Sequence, residues 1–194
     1  MRTLAAVLVS AFLAAAQSRL STEEAAQGWI LLFDGESTFG WTSEGGAEWK
    51  VVDGALVAET GQYGWLRHNA VFADFELQAD FRTAADGNSG IFLRSNRGGS
   101  PHVSGYELQI FDGHEKYPTG SIVAHAAAKG AKIKGGEWQT FHVTARGPAI
   151  EVRLDGNAVL KMSDRKSPAG HIGLQFNPGK KIEFRNVRLR PLAM

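Results

Sequence analysis

The sequence predicts an all-β protein built as a two-sheet antiparallel sandwich. Its 194 residues include 23 glycines, which indicate many tight turns, and the segments between them alternate apolar and polar residues. Because side chains alternate faces along a strand, each such segment has one apolar face to bury. Two stacked sheets bury these faces against each other. We count about ten or eleven strands, no convincing long helix, no internal repeat and no linker, which predicts one domain.

Composition and motifs exclude several classes of function. Lysine and arginine (21) nearly balance aspartate and glutamate (20), and no basic stripe predicts a nucleic-acid partner. Cysteine is absent, which excludes disulfides, thiolate metal sites and a cysteine nucleophile. The sequence also lacks a G-x-S-x-G elbow, a phosphate-binding loop and an H-E-x-x-H zinc motif. Its six histidines are scattered, so their spacing leaves any metal site unknown.

The N-terminus has the pattern of a secretory signal peptide over residues 1–16. Arg2 supplies the positive charge, residues 4–16 form an apolar run, and Ala14-Ala15-Ala16 offers a cleavage site. The run is shorter than the roughly 20 residues that span a bilayer, and a buried hydrophobic helix is the alternative interpretation. We therefore expect export to the periplasm or beyond, with no membrane association of the mature form.

The predicted elements begin after this segment. Residues 17–27 form a lead segment with a capping box from Ser21 to Glu24, and residues 28–191 form the single domain. The continuous apolar run at 29–33 predicts a buried strand. Asp53-Gly54 predicts a type I′ turn in a hairpin, since both positions of that turn need a positive φ.

Further strands follow from alternation and turn residues. They are expected at 75–82, 87–94, 105–112, 120–125, 138–146, 150–154, 158–162, 171–177 and 182–189. Residues 126–136 read as a surface loop. In the last strand the apolar phase slips at Arg185-Asn186, which predicts a β-bulge.

The stretch from Gly87 to Asp112 carries the clearest functional pattern. Two strand-like runs flank a glycine-bearing loop, which predicts a hairpin. Glu107 and Gln109 share one face of the second run, and the apolar residues between and around them share the other. In a symmetric hairpin Arg94 would lie on that polar face with Phe92, opposite or diagonal to Glu107. Such a mixture of charges, amides and aromatic rings is suited to holding a sugar ring.

Two ordinary alternatives explain the same pattern. A solvated outer face with a surface ion pair contributes roughly 0–1 kcal/mol and needs no function. Phe92 and Phe111 on the polar face are also compatible with a second packing layer.

The spacing of carboxylates disfavours acid-assisted glycoside hydrolysis. Five extended residues separate Glu107 from Asp112 by about 16 Å, and the two residues have opposite parity. An ordinary glycosidase holds its two carboxyl groups within about 5–10 Å. Unless the chain bends after Phe111, this pair cannot do that work.

Several segments, taken in order, resemble a known family: Leu32-Phe33-Asp34-Gly35, Trp49 to Leu56, Asp74-Phe75-Glu76-Leu77, Gly87 to Arg94, Gly105 to Asp112, Gly136-Glu137-Trp138, Gly170 to Gln175 and Phe184 to Arg188. Together they resemble the 3-keto-disaccharide hydrolase family (DUF1080) over about residues 28–191. The resemblance implies a concanavalin A-like, glucanase-type jelly roll that acts on glycosides oxidised to a ketone at C3. After Gln175 the chain departs from the family, with Phe176-Asn177-Pro178-Gly179 where members often have a polar residue and a histidine.

The implied chemistry fits a site without paired carboxylates, because a C3 ketone allows elimination across C1–C2 followed by hydration. We hypothesise that Glu107 is the base or the ligand of an electrophilic metal, and that Arg94 stabilises the enolate or clamps the substrate. Asp112, His125 and His114 are candidates for proton transfer or for coordination of a divalent metal ion. The substrate-binding candidates are Gln109, Trp65, Gln175, His114 and Phe92.

A non-catalytic, lectin-like carbohydrate-binding module is the rival function, since jelly rolls also bind glycans without cleaving them. A structural role in a larger exported complex has no positive support in the sequence. In either of the first two cases the expected partner is a carbohydrate, a 3-keto-glycoside for the enzyme.

Overall fold

A computed structural model describes residues 19–193, which contain two short helices and eleven strands. The helices are α1 (Thr22–Ala26) and α2 (Pro101–Ser104). The strands are β1 (Ile30–Leu31), β2 (Trp41–Val52), β3 (Ala55–Phe72), β4 (Phe75–Thr83), β5 (Ser89–Ser95), β6 (Tyr106–Ile110), β7 (Gln139–Arg146), β8 (Ala149–Leu154), β9 (Asn157–Ser163), β10 (Gly170–Phe176) and β11 (Ile182–Pro191). The predicted signal peptide at 1–16 lies outside the described residues.

The strands form one antiparallel sheet that curls into two layers, in the order β6-β5-β10-β3-β11-β4-β7-β8-β9. The long strand β3 belongs to both layers, because its second half pairs with β10 and its first half pairs with β11. We call β6, β5, β10 and the adjoining halves of β3 and β2 the front sheet. The back sheet contains β11, β4, β7, β8, β9 and the other halves of β3 and β2. This is the predicted two-sheet sandwich.

Glycines let β2 and β3 pass from one layer to the other. A Cβ on Gly61 would lie 2.3 Å from the carbonyl oxygen of Gly46, and one on Gly64 would lie 2.6 Å from the carbonyl oxygen of Glu44. No larger residue fits such an approach of two backbones. The bend therefore depends on glycine at these positions.

The core fills the space between the two sheets. Its fully buried members come from the inner faces of nearly all long strands and include Leu56, Phe75, Phe81, Ile91, Leu108, Phe141, Leu174 and Phe184. The rings of Phe81 and Phe141 stack at 5.0 Å across β4 and β7. The alternation predicted from the sequence thus sorts the side chains as expected.

The turn residues act as predicted. Asp53 and Gly54 have φ of 48° and 75°, as the predicted type I′ hairpin turn requires. Asp155 and Gly156, between β8 and β9, also have positive φ, at 50° and 81°. The capping box between Ser21 and Glu24 is present in α1. These local predictions are confirmed.

The predicted bulge in the last strand is also confirmed. The register between β11 and β4 shifts between Arg185 and Arg188, and Asn186 has a φ of 50°. The Asn186 amide donates to Asp80 Oδ2 at 2.7 Å, which holds the bulge against β4.

Two strand predictions are wrong in extent. In the run at 29–33 only Ile30–Leu31 pairs with β11, while Leu32 and Phe33 are buried without forming a strand. Residues 120–125 contribute isolated bridges of Ile122 instead of a strand. Among residues 19–193 no helix is both long enough and apolar enough to cross a bilayer.

Candidate functional site

The outer face of the front sheet gathers five of the predicted site residues. Cross-strand partners project to the same face, and Glu107 on β6 lies opposite Phe92 on β5. Phe92 in turn lies opposite Gly173 on β10, and Gln175 lies opposite Trp65 on β3. Gln109 lies opposite Gly90 in the row that leads to Gln175. We call this surface the polar face, although its floor is aromatic.

Glu107 is the central carboxylate of the polar face. It is only 8% exposed, and its Oε1 accepts a hydrogen bond of 2.8 Å from the Gln175 amide. Gly90 leaves the space that the carboxylate occupies, since a Cβ there would lie 3.2 Å from that oxygen. Burial raises the pKa of Glu107, against the opposing effects of the Gln175 hydrogen bond and of His102 and His114. The result is an oriented, poorly solvated carboxylate.

Two aromatic rings form the floor beside this carboxylate. The Trp65 indole packs against Gly173, where an added Cβ would be only 2.1 Å from its Cε3. The Phe92 ring meets Trp65 edge to face, with centroids 5.4 Å apart. Both rings are buried, so they support the groups above them more than they present free surface.

Two further polar side chains, His114 and Tyr63, interact electrostatically with Glu107. His114 Nδ1 accepts from the backbone N–H groups of Lys116 and Tyr117, at 3.2 and 3.1 Å. In a neutral imidazole the proton then resides on Nε2, which makes that nitrogen a donor. Tyr63, which is 44% exposed, has its pKa raised by burial, while the Gln175 amide opposes that effect and the Glu107 carboxylate adds to it.

Tyr63 and His102 interact electrostatically with Glu107, and the sequence analysis missed both. Tyr63 shares its parity with Trp65 on β3, so extending the alternation of that strand would have placed it on the polar face. His102 lies on α2, within the hairpin loop, and no sequence pattern connects it to Glu107. An ion pair continues the polar face beyond Trp65, where Arg67 Nε contacts Glu44 Oε1 at 2.9 Å.

The prediction that Arg94 shares a face with Glu107 is wrong. Arg94 has a φ of 52°, and the pairing of β10 with β5 is irregular at this point. The left-handed residue reverses the alternation, so the Arg94 side chain passes to the end of the core, 5.9 Å over the ring of Phe75. Only 1% of the residue is exposed.

Arg94 instead connects three loops at one end of the sandwich. Its guanidinium donates to the carbonyl oxygens of Ala73 (2.7 Å), Gly147 (2.7 Å) and Ser167 (3.4 Å). It also pairs with Asp74 Oδ1 at 3.0 Å. These contacts hold the guanidinium away from the polar face, which indicates a structural role for Arg94.

Asp112 and His125 also lie apart from Glu107. Asp112 Oδ2 accepts from the backbone N–H of Ile133 at 3.0 Å and so organises the long loop after β6. The His125 ring packs 5.3 Å from Tyr106, with its Nδ1 3.5 Å from Asp164 Oδ2. Tyr106 projects to the inner face of β6, opposite to Glu107. The structure thus does not bring these two residues into the same site.

A resident metal does not fit the side chains of this site. Within residues 19–193 no group of three or more histidine, aspartate or glutamate side chains has the spacing of metal ligands. Glu107 Oε1 accepts from the Gln175 amide, Asp112 Oδ2 accepts from the Ile133 backbone, and His125 contacts Asp164.

Comparison with known proteins identifies the family of this chain. The profile of the 3-keto-alpha-glucoside-1,2-lyase-like domain matches residues 28–190, which is most of the chain. The chain belongs to the 3-keto-alpha-glucoside-1,2-lyase-like family. The resemblance to 3-keto-disaccharide hydrolases predicted from the sequence is confirmed. A search of functionally curated proteins found no match.

Solved structures related to this family member confirm the jelly-roll prediction. A proposed glycosyl hydrolase from Parabacteroides distasonis is 24% identical, with a TM-score of 0.81 and coverage of 91% of this chain and 99% of that one. The carbohydrate-binding module CBM66 from Bacillus subtilis is 20% identical, with a TM-score of 0.64 and coverage of 78% and 95%. The lumenal domain of VIP36, bound to calcium and mannose, is 10% identical, with a TM-score of 0.60 and coverage of 87% and 91%. At these identities the likeness concerns the fold.

Proposed function

We propose that this protein cleaves 3-keto-glycosides by elimination across C1 and C2, followed by hydration, with Glu107 as the general base. One observation carries the proposal: the carboxylate of Glu107 is buried, is oriented by Gln175, and stands on the aromatic floor of the polar face. Membership of the 3-keto-alpha-glucoside-1,2-lyase-like family supports the proposed substrate class.

The reaction needs one carboxylate as the base and no second carboxyl group, because the C3 ketone activates the substrate for elimination. A carbonyl at C3 acidifies the proton on C2, and the glycosidic oxygen on C1 is β to that carbonyl. Removal of the C2 proton forms an enolate, which expels the C1 oxygen and leaves an enone. Water then adds to C1 and a proton returns to C2, so the net result is hydrolysis. This route needs no second carboxylate, and the Glu44 carboxylate farther along the polar face is paired with Arg67.

Glu107 has the environment of a general base. Its raised pKa, caused mainly by burial, makes it more basic than an exposed glutamate. The hydrogen bond from Gln175 fixes the rotamer of the carboxylate, so that its free oxygen can be directed at a bound sugar. Together these effects give the Glu107 carboxylate the basicity and the position that removal of a C2 proton requires.

Donors near Glu107 are available for the oxygens that gain charge. We assign the Nε2–H of His114 to the enolate oxygen at C3, since its Nδ1 is already held by two backbone N–H groups. We assign the Tyr63 hydroxyl to the departing C1 oxygen, because Tyr63 is the exposed acid beside Gln175. Gln109, Trp65 and Phe92 would support and orient the sugar.

The proposal predicts a specific loss of turnover in Glu107→Gln. The substitution keeps shape and the hydrogen bond from Gln175 but removes the base, so kcat for a 3-keto-glucoside should fall by roughly 10²–10⁴-fold. Glu76→Gln, on the outer face of the back sheet, is a matched control that should keep the wild-type rate. Equal rates for wild type and Glu107→Gln would remove Glu107 from the mechanism.

A lectin-like carbohydrate-binding module is the second candidate function. The observation that favours it is the likeness of the fold to CBM66 and to the mannose-bound domain of VIP36. Calorimetry with a 3-keto-glucoside separates the two functions. Saturable binding with no product from the wild type would support the module, whereas product formation supports the enzyme.

We propose that the protein is exported to the periplasm or beyond. The signal-peptide pattern at 1–16 supports it, since extracellular and periplasmic enzymes are made with such a segment. N-terminal sequencing of the protein secreted by a bacterial host should find a chain that begins at Gln17. An uncleaved cytoplasmic protein would contradict this.

A further inference from the structure

The carbonyl oxygen of the Gln175 side chain is buried without a donor. Of the residues that the structure describes, none donates a hydrogen bond to Gln175 Oε1, and Gln175 is only 5% exposed. Buried polar atoms in folded proteins are nearly always paired, so an unpaired one at a site requires an explanation.

The neighbouring carboxylate fixes which end of the amide carries this oxygen. An ionised carboxylate only accepts hydrogen bonds, so the Gln175 group 2.8 Å from Glu107 Oε1 must be the amide nitrogen. The carbonyl oxygen, Oε1, then occupies the other branch of the amide and points away from Glu107 Oε1. The unpaired acceptor is therefore a consequence of the same contact that orients the proposed base.

A bound substrate has a donor at the matching position. If Glu107 removes the proton from C2, the atoms of C2 lie within hydrogen-bond distance of the carboxylate. C2 of an unmodified sugar carries a hydroxyl as well as that proton. Because the oxygen and nitrogen of the amide are bonded to one carbon, Gln175 Oε1 is close to the same centre and can accept from this hydroxyl.

We propose that Gln175 Oε1 accepts a hydrogen bond from the C2 hydroxyl and so restricts the substrates to 3-keto-glycosides that carry a free hydroxyl at C2. This inference rests on the proposed function, since it places C2 beside Glu107. A 2-deoxy analogue still has an acidic C2 proton, but it would leave the buried oxygen unpaired. A site of this kind rejects such an analogue strongly, because the unpaired polar atom remains in the complex.

The test compares one specificity ratio in several variants. The rates of methyl 3-keto-glucoside and of its 2-deoxy and 4-deoxy analogues are measured with wild type and with Gln175→Met. Methionine has a similar size and no amide. Comparing ratios between enzymes cancels the intrinsic effect of the C2 hydroxyl on the acidity of C2. Gln78→Met, on the outer face of β4 in the back sheet, is the matched control.

We expect the preference of wild type for the 2-hydroxy over the 2-deoxy substrate to be at least about tenfold greater than that of Gln175→Met. Gln78→Met should keep the wild-type ratio. Equal ratios in wild type and Gln175→Met would overturn the inference while leaving the proposed function intact. Folded wild type that turns over none of the three substrates would instead refute the proposed function.

Two further outcomes identify a different partner for Gln175. If the 4-deoxy substrate shows the Gln175-dependent loss, the oxygen reads C4 and the assignment to C2 is wrong. If Tyr63→Phe abolishes the 2-hydroxy preference as fully as Gln175→Met does, the Tyr63 hydroxyl is the donor and the inference fails. A wild-type ratio in Tyr63→Phe supports the substrate as the donor.

Discussion

Replacing Arg94 should destabilise the fold and leave the chemistry of the folded enzyme nearly unchanged. The guanidinium makes two hydrogen bonds of 2.7 Å to backbone carbonyls and an ion pair of 3.0 Å with Asp74. In Arg94→Met these partners lose their donor at the end of the core. Breaking a buried charge pair by removing one partner costs about 3–5 kcal/mol.

The expected value lies near the lower end of that range. The Asp74 side chain is 16% exposed and keeps its hydrogen bond from the backbone N–H of Gly147, so water and backbone compensate part of the loss. A loss of about 3 kcal/mol lowers the melting temperature by roughly 6–12 °C for a domain of this size. Thermal unfolding followed by circular dichroism measures it.

The control separates burial from charge. Lys50 pairs with Glu59 at 3.5 Å, but both side chains are more than half exposed, so Lys50→Met should cost no more than about 1 kcal/mol. Well below its melting temperature, Arg94→Met should keep kcat for a 3-keto-glucoside within a few-fold of wild type. If Arg94→Met melts like wild type and loses turnover a hundredfold, the structural role is refuted and Arg94 acts in the reaction instead.

Two other predictions concern the polar face. Because the folded state raises the pKa of Glu107, this group favours folding below its unfolded pKa and loses that contribution as the pH rises through its folded pKa. Glu107→Gln should therefore melt above wild type at pH 7, with the difference shrinking at acid pH, and an unchanged difference would contradict the burial argument. Gly173→Ala should displace the Trp65 ring, since the added Cβ would lie 2.1 Å from it. We expect a loss of about 1–3 kcal/mol in stability and weaker substrate binding by calorimetry, and wild-type behaviour would show that the ring is not held there.

Alternation and turn chemistry were sufficient to predict most of the fold. The inner and outer faces of β6 and β10 follow from a period of two, which placed Glu107, Gln109 and Gln175 correctly. Asp53-Gly54 and the phase slip at Arg185-Asn186 depend on neighbours in the sequence, so the sequence carries their signal directly.

The errors arose where one backbone dihedral or one distant segment decides the geometry. The Arg94 side chain lies on the face opposite to the one that alternation predicts, because its φ is positive. Unlike glycine, asparagine or aspartate, an arginine in the sequence does not indicate that conformation. His102 lies on α2 in the loop between β5 and β6, and its electrostatic effect on Glu107 depends on a loop path that tertiary contacts decide. The match of Trp65 with Gly173 becomes visible only when the register of β3 and β10 is known.

The fate of the C2 hydrogen tests the central claim, that Glu107 removes it, most directly. Methyl 3-keto-glucoside carrying deuterium at C2 is incubated in ordinary water, with enzyme-free and Glu107→Gln samples as controls for spontaneous exchange. Elimination followed by hydration replaces the deuterium with a solvent proton in the sugar product, and Glu107→Gln should slow this loss together with turnover. A product that retains its C2 deuterium would show direct cleavage at C1 and would contradict the account.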